Sequence, residues 1–362
     1  MKPLSSELLE YLFFCSFVLN TLASWAPVNL PSSAQGITKY VSSLWISPYR
    51  CVVAGNKGNL VDGSVILVSN NKGLSWTKCN ITSGSFGTIT SMTSQKINGV
   101  SYLLSVGFQV SDSIGRVFLS TSNGSTWSLT STTYTTNSVS VSLPVLNSVC
   151  IGTNGYAFTI GKASATSFGI FYSSLSSSFS VWSLATYWND TNYVAFGIGT
   201  NDGVSIVAVG SYNNATTYLS TGVVFLSQNT GSSWSIYFVS ATSALFSVAA
   251  LSSTTFFIGG DSGYLAKSID SGSTWVSLSY SNQNYGFYSI SILSSSVVYA
   301  AGHIDSSSPQ GLILKSVNSG TSWSIEVSGL KSLQSVAMHD SSNGIAGDSS
   351  VYATVQGNCI NL

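Results

Sequence analysis

Ser268-Ile269-Asp270-Ser271-Gly272-Ser273-Thr274-Trp275 decides the fold, because the chain repeats it. Ser69–Trp76 reads SNNKGLSW, Ser120–Trp127 reads STSNGSTW, Ser227–Trp234 reads SQNTGSSW and Ser316–Trp323 reads SVNSGTSW. Ser173–Trp182 is a degenerate copy, two residues longer and without the glycine. The tryptophans fall at 76, 127, 182, 234, 275 and 323, so the intervals are 51, 55, 52, 41 and 48 residues. A period of that length marks a repeat architecture in which each unit is one supersecondary element.

The motif has the chemistry of a tight turn. Asn71, Asn229, Asp270 and Asn318 can accept hydrogen bonds from backbone N–H groups of their own turn. Gly73, Gly124, Gly231, Gly272 and Gly320 permit positive φ. Trp76, Trp127, Trp234, Trp275 and Trp323 then supply large rings to cover the turn and pack between units. Upstream of each copy an apolar run ends in glycine, as in Cys51–Gly55, Leu103–Gly107, Ile206–Gly210 and Tyr299–Gly302. Together with a preceding strand such as Leu245–Ala249 and the strand that Trp opens, each unit holds four short strands, A to D. Four-stranded units of about 45 residues are propeller blades.

Six units carry the motif. Residues 331–358 read as a seventh with three strands, and Trp25-Ala26-Pro27-Val28 resembles the missing fourth. The expectation is an all-β propeller of about seven blades over residues 24–362, the last blade closed by the N-terminal strand. Counts of six or eight also fit the spacing.

At these residues the chain resembles the Asp-box (bacterial neuraminidase) repeat proteins. It is most similar to the photosystem II stability/assembly factor-like and sialidase-like propellers. The resemblance covers essentially the whole chain after residue 23 and implies the fold. It leaves function among hydrolases, assembly factors and sorting receptors.

Composition narrows that choice. Charged residues are 7% of the chain, the net charge is zero, and Ser plus Thr number 106 of 362. This excludes an electrostatic grip on nucleic acid. The sialidase resemblance implies three arginines on the substrate carboxylate, and only Arg50 and Arg116 exist. A glycosidase needs two carboxyls across a cleft. Beyond residue 23 there is one Glu, Glu326, and nine Asp. Asp62, Asp112, Asp190, Asp202, Asp261, Asp305 and Asp348 read as turn residues in connecting loops. His303 and His339 read as surface loop histidines, without metal-ligand spacing. No metal and no cofactor is expected.

What remains is a binding module for a protein or glycan partner. Tyr134, Tyr187, Trp188, Tyr212, Tyr280 and Tyr285 fall in connecting loops and are the candidate binding aromatics. The alternatives are a photosystem II assembly factor-like chaperone and a glycoside hydrolase of the Asp-box class. Residues 1–23 read as a signal peptide, with Lys2 before the apolar run Tyr11–Leu22 and small residues at Thr21–Ala23. This implies a secreted, cell-surface or lumenal protein with no further membrane span. In such a compartment Cys51, Cys79, Cys150 and Cys359 could pair in three ways. Asn80, Asn123, Asn189 and Asn214 head glycosylation sequons, although the composition yields roughly seven by chance.

Overall fold

Runs such as Ile206–Val209 lack the alternation of a half-exposed strand because both of their faces are covered. The computed structural model describes residues 24–355, apart from 59–62, 165–166, 218, 240–241, 279, 281–283 and 305–309. The signal-peptide segment and Cys359 lie outside the described residues. Among the described residues no helix is long and apolar enough to cross a membrane.

The strands form seven antiparallel-based sheets, the blades of a propeller. Blade 1 contains Lys39–Ser47, Arg50–Asn56, Val65–Ser69 and Thr77–Lys78, running from the centre outward as strands A to D. Blade 4 (Tyr193–Thr200, Ile206–Asn213, Ser220–Ser227, Ser235–Val239) repeats the plan. So do blade 5, starting at Leu245–Ala250, and blade 6, starting at Tyr285–Ile292. Two blades exceed the expected four strands. Blade 2 gains Asn80–Ser83, parallel to Thr126–Ser131. Blade 3 gains the hairpin Thr133–Thr136/Val139–Ser142 beside Trp182–Trp188. The extra residues lie in the stretches leading to Trp127 and Trp182, where the tryptophan intervals are 51 and 55.

Blade 7 closes as the sequence predicts. Ser24–Pro27 is its outer strand, antiparallel to Val351–Val355, with Trp25 opposite Thr354. Trp25 packs against Tyr299 and Ile313 of blade 6 and Tyr352 of blade 7. It supplies the seam ring that blade 7 otherwise lacks. The motif tryptophans play the same part elsewhere. Trp127 packs on Val52 and Ile66 of blade 1, and Trp182 on Val106 and Val117 of blade 2.

The turns are built as their composition suggests, with one addition. In the blade 5 copy, Asp270 Oδ1 accepts the N–H of Thr274 at 2.8 Å, and Asp270 Oδ2 accepts the Thr274 hydroxyl. The addition is the leading serine: Ser268 Oγ donates to Asp270 at 2.8 Å and accepts the Gly272 N–H at 2.9 Å. Ser69, Ser227 and Ser316 do the same in their copies. All of these serines are buried. The degenerate copy survives without glycine because Phe179 adopts φ 55° and its carbonyl receives the Trp182 indole N–H, as Gly73 and Gly124 do for their tryptophans.

Cys51, Cys79 and Cys150 are buried free thiols, so no disulfide joins them. Burial pushes the Cys51 thiol up to about 12 and the Cys79 thiol to about 11.

Candidate functional site

Strand A of every blade carries a β-bulge at one place. The register shifts occur at Tyr40/Ser42, Ile89/Ser91, Leu146/Ser148, Ala195/Gly197, Leu245/Ser247, Phe287/Ser289 and Leu333/Ser335. The first residue of each triplet is buried in the core. The extra, bulged residue lines the central channel. The third is serine in six blades and glycine in one. A bulge adds local twist and re-aims one side chain, which suits the crowded axis of a propeller.

Four of these six serines fasten blade to blade. Ser42 Oγ accepts the Met92 N–H at 3.1 Å, and Ser289 Oγ accepts the Val336 N–H at 3.1 Å. Ser148 does the same for Ile198, and Ser247 donates to the Phe287 carbonyl. At Gly197 a Cβ would stand only 3.0 Å from the Phe246 carbonyl oxygen, so the blades approach directly. Sequence reasoning missed this ring. The signal was present in five of the seven blades as apolar, any residue, Ser, apolar, as in Leu245-Phe-Ser-Val and Leu333-Gln-Ser-Val.

Strand B explains its terminal glycines. A Cβ at Gly107 would lie 1.9 Å from the Thr88 carbonyl oxygen, and one at Gly302 would lie 2.1 Å from that of Gly286. The register places Gly55, Gly107, Gly161, Gly210, Gly260 and Gly302 opposite the residue before the bulge. In blade 7 that position is Asp348, opposite Leu333. Asp348 is 8% exposed, and Ser332 Oγ donates to its carboxylate. Burial raises the pKa of Asp348, while the charges of Lys39 and His303 act against the rise.

The channel has a volume of about 920 Å³, inside the range of ligand sites. Its bulge residues differ around the ring. Blades 7, 1, 2 and 3 offer Gln334, Val41, Thr90 and Asn147, whereas blades 4, 5 and 6 offer Phe196, Phe246 and Tyr288. These aromatics form an arc. Phe196 meets Phe246 at 5.6 Å, Phe246 stacks on Tyr288 at 4.6 Å, and Tyr288 stacks on His303 at 4.5 Å. Two parallel rings so close cannot share one side of a third, so both faces of Tyr288 are covered. Phe196 ends the arc and is 38% exposed.

His303 is thus a correction to the loop reading. It is 7% exposed on strand Val298–Ile304, where its Nδ1 lies 3.1 Å from the Leu333 carbonyl oxygen. His339 is half-buried against Trp45. Among the described residues no group of three or more His, Cys, Asp or Glu could hold a metal ion.

Five of the six candidate aromatics lie on strands rather than in connecting loops, with only Tyr280 between strands, and they do not converge on one site. Trp188 is half-buried, stacked on Phe168 at 4.7 Å and packed on Phe225. Tyr212 joins the same cluster through Tyr193. Tyr187 is exposed beside them. Tyr134 packs on Phe171, also in blade 3. Tyr280 and Tyr285 pair at 6.4 Å in another seam. Tyr285 is 8% exposed, not the open platform its loop-like context suggests, because it begins strand A of blade 6 and packs beneath Tyr280 and Phe287.

Loop carboxyls mostly serve turns. Asp112 accepts the Ile114 N–H and pairs with Arg116. Asp190 accepts the Asn192 N–H, and Asp202 those of Val204 and Ser205. Asp261 takes the Ser262 N–H and the Ser243 hydroxyl. Asp62 and Asp305 lie outside the described residues. Of the sequon asparagines, Asn80, Asn123 and Asn189 are exposed and Asn214 is half-buried.

With this geometry in hand, the solved structures can be compared. The chain shares its fold with YCF48. The structure "YCF48 bound to D1 peptide" matches with a TM-score of 0.62 at 14% identity, covering 92% of this chain and 95% of that one. YCF48 from Cyanidioschyzon merolae matches at TM-score 0.58 and 12% identity, over 92% and 99%. The WD40 repeats of RRP9 match at TM-score 0.61 and 8% identity, over 92% and 98%. The sequence matches no family profile and no curated protein. At such identities the likeness is one of fold.

Proposed function

We propose that this chain is a non-catalytic binding module that captures a polypeptide segment at the mouth of its central channel, outside the cell or in a secretory lumen. The carrying observation is the confinement of Phe196, Phe246 and Tyr288 to three adjacent blades. The fold does not need aromatics there, since Val41, Thr90, Asn147 and Gln334 fill the same position elsewhere. A sugar ring stacks on a free aromatic face, and the faces of Tyr288 are taken by its neighbours. Apolar side chains lying against ring edges and against Phe196 suit the arc better, which favours a peptide over a glycan. YCF48, which has the same fold, is described with a bound D1 peptide. An assembly-factor role would be one instance of such binding. The hydrolase alternative is disfavoured because Asp112, Asp190, Asp202 and Asp261 are engaged in turns.

Cleavage before Ser24 would leave the closing strand Ser24–Pro27 whole. N-terminal sequencing of secreted protein should therefore begin within a few residues of Ser24, and a start at Met1 would refute the secretory address. The binding reading is tested with an array of blocked, uncharged peptides and a glycan array. Peptides rich in apolar side chains should bind wild type, and Phe246→Ala should weaken them about tenfold or more, the loss of one packed interface aromatic. Binding to glycans alone would overturn the reading.

A further inference from the structure

We propose that Lys39 anchors a carboxylate of the peptide captured at the channel mouth. The inference rests on the peptide-binding reading above and adds the chemistry of the ligand.

Three observations carry it. Lys39 is the one charged side chain among the residues lining the channel. It stands in blade 1, across the ring from the arc of blades 4 to 6. A ligand that rests on the arc therefore meets a single cation on the far side. Second, Lys39 forms no salt bridge among the described residues. Third, the loops on this side add Lys57 and Lys331, both exposed. Three lysines thus stand on or beside the two blades that meet there.

An ammonium offers three donors and no acceptor. Lys39, without a salt bridge among the described residues, has donors for a ligand oxygen, and a partner carboxylate gives the strongest such bond. Two peptide sources supply that group: the C-terminal α-carboxylate and an Asp or Glu side chain.

The experiment uses apolar octapeptides with acetylated N-termini in three forms: C-terminal acid, C-terminal amide, and amide with one internal Glu. Affinities are read by fluorescence polarisation on the intact protein, at low and high salt. Wild type should prefer at least one carboxylate form over the plain amide by about tenfold, a ratio that salt reduces. The preferred form identifies the source. Lys39→Met should abolish the preference while leaving amide affinity within about twofold. Phe246→Ala should lower all forms equally and leave the ratio intact. Equal binding of acid and amide to wild type, or a preference that survives Lys39→Met, overturns the anchor and leaves peptide binding standing. If no form binds, the peptide reading itself falls.

Discussion

Asp270 is the one acidic residue in a turn position that Asn71, Asn229 and Asn318 fill in other blades. The Thr274 hydroxyl and N–H, then the Ser268 hydroxyl, hold its carboxyl down to about 2 from 3.8. A folded value below the unfolded one stabilises the fold above about pH 4, and the effect is lost as pH falls through 2. Asn makes the same contacts without a charge. Asp270→Asn should therefore leave urea unfolding at pH 7 little changed, and its stability relative to wild type should rise between pH 4 and pH 2. A difference that stays constant with pH would show that the carboxylate adds nothing an amide cannot. The leading serine is the stiffer requirement. Ser268→Ala removes the acceptor of the buried Gly272 N–H, and an orphaned buried donor costs about 1–3 kcal/mol. Urea titration of Ser268→Ala beside Asp270→Asn should rank the serine as the more costly loss.

At the level of the element, strand B and strand A must approach each other at the bulge, and glycine is what permits it. Gly107→Ala places a Cβ within 1.9 Å of the Thr88 carbonyl oxygen, a contact that only backbone movement relieves. Overpacking of that kind costs about 3 kcal/mol, readable as a fall in the denaturant midpoint with little change in slope. A neutral outcome would mean that the bulge is free to flatten. The elements were largely legible in the sequence because their determinants are local. A glycine, an Asn or Asp and a Trp at fixed offsets specify the turn between strands C and D, and a continuous apolar run specifies strand B. The strand-A serines recur in six of the seven blades, but serine is so abundant here that their periodicity is camouflaged. The aromatic arc was illegible for a different reason. Phe196, Phe246 and Tyr288 become neighbours only when consecutive bulges are brought round one axis, so loop aromatics such as Tyr285 were weighed in their place. His303 lies on a strand because strand B of blade 6 runs two residues past Gly302, the glycine that marks its apparent end.

The whole molecule is a ring, and a ring has one joint that the repeat alone does not make. Blade 7 obtains its outer strand from Ser24–Pro27 and its seam tryptophan from Trp25. The Val28 N–H extends the pairing to the Val351 carbonyl at 2.9 Å. Without these residues, Val351–Val355 would be an open edge, able to pair with another chain, and Tyr299, Tyr352 and Ile313 would lose the ring that covers them. The channel depends on the same joint, because Gln334 and Lys39 lie on the two blades that meet there. A chain beginning at Asn29 should melt lower than one beginning at Ser24 and should associate as concentration rises. Trp25→Ala in the longer chain separates the two contributions. It keeps the strand pairing and removes only the ring, so it should lose about 3–5 kcal/mol, the range for a packed large aromatic, while remaining monomeric in sedimentation velocity. If the shorter chain melted at the same temperature and stayed monomeric, blade 7 would be stable with three strands and the N-terminal strand would be an ornament of the fold rather than its closure.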